Sequence, residues 1–112
     1  MFKLIACIVI YNTKFDEIRE TIKEFYKEDI NQHLVIIDNS NTGYLKEKIL
    51  ALNNTIDYIL NDNTGYGDGN NIAIFKYEGK SEYFLIMNPD IYISIDGLKK
   101  LVSHADEKKI LE

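Results

Sequence analysis

Leu4-Ile5-Ala6-Cys7-Ile8-Val9-Ile10 is apolar at every position, and Tyr11-Asn12-Thr13 follows it without a spacer. A run with no polar side has no solvent side, which is how a strand covered on both faces reads. The polar triplet ends it. Phe15, Ile18, Ile22, Phe25 and Tyr26 then recur at helical spacing, while Glu17, Arg19, Glu20, Lys23 and Glu24 take the opposite face. Thr13, with Asp16 three residues on, is expected to cap that helix.

The same alternation continues down the chain. Leu34-Val35-Ile36-Ile37 reads as a second buried strand and stops at Asp38-Asn39-Ser40, where turn residues run to Gly43. Leu45, Ile49 and Leu52 mark a short helix, and Ile56 to Leu60 a third strand. The glycine-rich segment from Asn63 to Asn71 follows, with a helix expected from near Asp68 that carries Ile72, Phe75 and Tyr77. Tyr83 to Met87 is a fourth strand, ended by Asn88-Pro89-Asp90 because proline cannot donate to a central ladder. Ile91 to Ile93 is expected as a short edge strand. Ser94 is expected to cap a last helix with Leu98, Leu101, Val102 and Ala105 facing inward. Strands alternating with helices imply right-handed βαβ units: an α/β domain on a parallel sheet with helices on both faces.

In such sheets ligands bind beyond the carboxyl ends of the strands. Tyr11-Asn12, Asp38-Asn39, Asn61 to Asn71 and Asn88-Pro89-Asp90 all fall there. Four separate polar segments are thus expected at one rim.

Bulk properties narrow the partners. The 112 residues make one domain, and 46% apolar with 28% charged residues is ordinary for a globular chain. The net charge is −5 and each lysine pair is interleaved with acids, which argues against a duplex nucleic acid partner. Cys7 is the sole cysteine and reads as a small buried hydrophobe, so no internal disulfide forms. The apolar run at Leu4 is too short to cross a bilayer and has no cleavage site of a signal peptide, so a cytoplasmic location is expected, with room for peripheral membrane association. His33 and His104 have no second ligand at suitable spacing and read as structural or exposed.

The set Ile10-Tyr11-Asn12, Ile37-Asp38-Asn39-Ser40, Asn63-x-Gly65-Tyr66-Gly67-x-Gly69-Asn70-Asn71 and Met87-Asn88-Pro89-Asp90 resembles glycosyltransferase family 2 with the GT-A fold. It is most similar to the rhamnosyltransferase-type branch, where Asn-Pro-Asp stands in place of Asp-x-Asp. The resemblance runs from Phe2 to about Ala105. It implies a Rossmann-like nucleotide-diphospho-sugar-binding domain with strand order 3-2-1-4. The donor it implies is dTDP-rhamnose or a UDP-sugar, and the acceptor a saccharide or lipid-linked saccharide. Tyr11 and Asn12 would border the base, and Asp38 with Asn39 the base or ribose. Gly65, Tyr66, Gly67, Asn70 and Asn71 would lie along the nucleotide, and Asn88, also in the substrate-binding set, would stand at the first position of the metal triplet, where it can offer a carbonyl oxygen. Asp90 would hold Mg²⁺ or Mn²⁺.

Bland readings stand beside these. Asp38 also reads as a turn cap, Tyr11 as cover for the sheet edge, and the glycines as tight turns. The glycine-rich segment follows the third strand with the wrong spacing for a dinucleotide fingerprint, and no Gly-Lys-Ser/Thr is present. Asn88 removes one anionic ligand relative to Asp-x-Asp. In the family the general base and acceptor pocket follow the metal motif, so the catalytic residue is not expected in this chain. It is expected to be a truncated, donor-binding half that does not turn over alone. A candidate homodimer surface is the apolar face the other half would cover. The competing reading is a silent GT-A-like scaffold.

Overall fold

The computed structural model describes residues 1–111, with side chains through Lys108. β1 (Phe2–Ile10) lies inside the sheet between β2 (Gln32–Asp38) and β4 (Ser81–Met87), which is why its sequence has no polar side. β3 (Asp57–Leu60) completes a sheet of order β3-β2-β1-β4 in which every pairing is parallel. The order and the parallel sense are those the family resemblance implied.

Side chains of successive strand residues point to opposite faces. Leu4, Ala6, Ile8 and Ile10, with Leu34 and Ile36, pack against α1 (Phe15–Phe25), α2 (Lys46–Leu52) and α4 (Ile95–Leu111). Ile18, Ile22 and Phe25 of α1, Ile49 of α2 and Leu98 of α4 fill that layer. Ile5, Cys7, Val9, Val35 and Ile37 face the other way, under α3 (Tyr66–Lys76) and its Ala73. Each fully buried isoleucine in these layers stabilises the fold by roughly 1.5–3 kcal/mol over leaving it in water.

Several boundaries differ from the expectation. Thr13 does not cap α1: Lys14 takes that position with no side-chain bond, and the Thr13 hydroxyl accepts from its neighbour Tyr11 N–H at 3.4 Å. Ile91 to Ile93 form no strand. Asn88-Pro89-Asp90-Ile91 is a turn closed by Ile91 N–H on the Asn88 carbonyl at 3.3 Å, with proline at its second position. It throws the chain onto α1, where Thr21 donates its hydroxyl to the Ile91 carbonyl at 3.3 Å. Ser94 does cap α4, accepting from Gly97 N–H at 3.1 Å. Leu101 of α4 is 51% exposed rather than inward, since Ile95, Leu98 and Val102 form the stripe packed on the core and Leu101 falls beside it. α3 starts two residues earlier than Asp68, at Tyr66. Gly65 allows this: its φ of +95° is a conformation that a side chain would strain. No helix among the described residues is long and apolar enough to cross a membrane.

Candidate functional site

Register fixes what meets at the carboxyl rim. Ile10 pairs with Asp38 and Asp38 with Leu60, while Ile8 pairs with Met87. Tyr11, Asn39, Asn61 and Asn88 therefore leave the sheet side by side. The four polar segments do share one edge.

Asp38 is fully buried, and both carboxylate oxygens are used. Oδ1 accepts from Ser40 N–H at 2.9 Å and from the Ser40 hydroxyl; Oδ2 accepts from Gly43 N–H at 2.9 Å and from the Tyr58 hydroxyl at 2.7 Å. These are the bonds of a turn cap. They hold the 39–43 loop in a conformation that places Asn41 and Gly43 at positive φ. Burial, and then the Asp38 carboxylate, push the Tyr58 hydroxyl well above the ordinary phenol range, so it stays a donor. Tyr44 ties this loop to the first one by donating to the Thr13 carbonyl at 2.8 Å.

Asn39 is buried at the centre of the rim. Its N–H donates to the Ile10 carbonyl at 2.9 Å and its amide to the Gly65 carbonyl at 3.2 Å. Its own Oδ1 accepts from the Asn61 amide at 2.8 Å. One side chain thus joins the ends of β2 and β3 to the start of α3.

Between these loops and the β4 turn lies an open cleft of about 380 Å³. Val9, Tyr11, Thr13, Asn39, Asn63, Tyr66, Asn88, Pro89 and Asp90 line it. Five residues expected from sequence stand in its wall: Tyr11, Asn39, Tyr66, Asn88 and Asp90. Six do not. Asp38 lies beneath the loop; Gly65 and Gly67 start α3, and Asn12 is exposed beside the cleft at a φ of +55°. Asn71 is exposed on α3, and Asn70 is buried with its Oδ1 lacking a partner among the described residues. Two further lining residues carry no such signal in the sequence: Val9, because a cleft floor reads as core, and Thr13, whose spacing to Asp16 reads as a cap. Asn63 was within the glycine-rich motif but not singled out.

Asp90 is the one charged side chain in the wall. No group of three or more His, Cys, Asp or Glu residues able to hold a metal exists among the described residues. A cation here would therefore take Asp90 plus oxygens from its ligand, the way magnesium binds through one or two carboxylates and phosphates. The start of α3 at the rim adds unpaired N–H groups and the positive end of a helix dipole. Cys7 offers no nucleophile, as burial pushes its thiol up to about 12. The result is an amide-rich cleft with one carboxylate and two exposed tyrosines.

A parallel sheet with its cleft at the carboxyl rim, beside a glycine-initiated helix, defines a Rossmann-like ligand-binding α/β domain. Residues 5–111 match the family model described as Glycosyl transferase family 2, and the chain belongs to that family. It is 25% identical over 111 residues to rhamnosyltransferase WbbL of Escherichia coli (strain K12), covering 95% of this chain and 42% of that protein. The crystal structure of S. aureus TarS 1–349 superposes with a TM-score of 0.75 at 21% identity, over 95% of this chain and 33% of that one. The same TarS fragment in complex with UDP-GlcNAc gives 0.76 at 22% identity, over 95% and 32%. The chain thus spans less than half the length of the relatives it matches.

Proposed function

We infer that this chain binds a nucleotide-diphosphate sugar as the donor half of an inverting glycosyltransferase. The observation that carries the reading is the convergence of four loops around a single cleft at the sheet's carboxyl rim. Support comes from the family, and from TarS, whose structures include complexes with UDP-GlcNAc and with UDP. Tyr11 would border the base and Asn39 the ribose side. Asp38, by holding the 39–43 loop, would shape the same subsite. Tyr66 and Asn88 would face the diphosphate. Likeness to a rhamnosyltransferase favours dTDP-rhamnose over a UDP-sugar, with a saccharide or lipid-linked saccharide as acceptor.

A divalent cation, Mg²⁺ or Mn²⁺, fits the donor set through Asp90 and the ligand's phosphates. When bound it would neutralise charge on the departing diphosphate. The chain's own part is to hold the nucleotide and orient it. β4 pairs with no strand on its outer side among the described residues, and Ile86 there is exposed. A second copy is the proposed cover, and monomeric light scattering at high concentration would remove it.

Titration with dTDP and UDP, with and without Mn²⁺, tests the main reading. Nucleotide at a hundred times its dissociation constant should add about 2.7 kcal/mol of stability. Asp90→Ala should lose the Mn²⁺-dependent gain and keep its melting temperature, because Asp90 is exposed. No stabilisation by either nucleotide would leave the silent scaffold as the better account.

A further inference from the structure

One hydrogen bond crosses the cleft from wall to wall. Tyr66, in the first turn of α3, donates its hydroxyl to Asn88 Oδ1 at 2.6 Å. A phenol has one proton, and Tyr66 spends it here. An amide has a fixed polarity. With Oδ1 turned to the tyrosine, the two Nδ2 hydrogens point away from it, and they meet no partner among the described residues. What opposes reversal is this bond itself, since with the amide turned over the Tyr66 proton would lose its acceptor.

Resting on the nucleoside-diphosphate reading above, we propose that Tyr66 is a positioning residue that sets Asn88 as a hydrogen-bond donor to a diphosphate oxygen, leaving Asp90 alone to face the cation. A carboxylate at position 88 could only accept, and it would repel phosphate until a cation stood between them. An amide held as a donor attracts phosphate with or without the cation. Anion affinity in this cleft then has two separable parts. Asn88 carries the metal-independent one and Asp90 the metal-dependent one. The single carboxylate in the wall agrees with this division.

The test is calorimetric titration of the chain with UDP, once in EDTA and once in saturating Mn²⁺. Tyr66→Phe and Asn88→Ala should each weaken binding in EDTA by roughly five- to tenfold. The double variant should be no weaker than Asn88→Ala, because Tyr66 acts through Asn88. Asn88→Asp should lose tenfold or more in EDTA and recover in Mn²⁺, a change in metal dependence that a purely structural role would not produce. Tyr66 is half-exposed, so Tyr66→Phe should melt as the parent does. The proposal is overturned if Tyr66→Phe binds UDP in EDTA as the parent does, if the two single losses multiply, or if Asn88→Asp keeps parental affinity in EDTA. Failure of the parent to bind UDP in either buffer would remove the nucleotide reading, and this inference with it.

Discussion

A buried carboxylate without a cationic partner is costly unless several donors satisfy it, and Asp38 has four. Three residues supply them: Ser40 with its backbone N–H and its hydroxyl, Gly43 with its backbone N–H, and Tyr58 of β3 with its phenol. Removing one donor is cheaper than removing the acceptor. Tyr58→Phe should cost about 1–2 kcal/mol, and Asp38→Ala roughly 3 kcal/mol, since it strands several donors at once. Urea unfolding with an unchanged m-value checks both. The same pair separates the two roles open to Asp38. Parental stability in Asp38→Ala together with lost nucleotide binding would assign the carboxylate to the ligand instead of the loop.

Among the elements, α3 sits closest to the sheet, and glycine explains how. A Cβ added at Gly69 would lie 3.0 and 3.1 Å from the Val9 methyls and 3.3 Å from the Asn39 amide nitrogen. At Gly67 it would meet nothing within 4 Å. Gly69→Ala should therefore lift α3 from β1 and cost about 1–3 kcal/mol, whereas Gly67→Ala should be neutral or gain up to about 1 kcal/mol from lost chain entropy. Thermal melts of the two variants make the comparison, and equal effects would refute the close-approach argument. The glycine-rich segment was visible in the sequence, but which glycine the packing requires was not, because that depends on a side chain sixty positions earlier. The strands were legible for a local reason: both faces of β1 and β2 are covered, so their apolar runs are unbroken. The stretch 91–93 looked like a strand by composition, and the turn at Pro89 overrode it.

At the scale of the molecule, the rim was readable because a parallel sheet sends every strand's polar sequel to the same edge. The wall of the cleft was only half readable, since Asp38 and Asn70 turn inward, while Val9 and Thr13 are buried and still form part of its lining. The opposite edge carries a polar network of its own, and it tests the fold without touching the cleft. His33 on β2 stacks on Phe2 of β1 at 4.8 Å, and its Nε2 lies 3.2 Å from the Tyr77 hydroxyl. Tyr77 donates to Asp57 of β3, which also takes Lys76 Nζ at 2.7 Å. Since the Tyr77 proton goes to the carboxylate, His33 donates and is neutral at Nδ1. Burial lowers its pKa, with Asp57 opposing and Lys76 assisting. The folded state thus binds the proton less well than the unfolded chain does. Stability is full above the unfolded value of about 6.5 and falls as pH drops through it, by at most about 1.4 kcal/mol per pH unit for one proton. Burial tends to raise the Asp57 pKa, but the bonds from Lys76 and Tyr77 outweigh it and hold the carboxyl below its ordinary value. Glu24, bonded by Ile95 N–H, is lowered as well. Their contribution is lost only at more acid pH. Denaturation between pH 8 and 5.5 should therefore show a decline in the parent that His33→Phe, which keeps a ring on Phe2 but carries no titrating proton, does not share. Equal slopes would mean that His33 binds its proton equally well in both states and that this edge takes no part in the acid response.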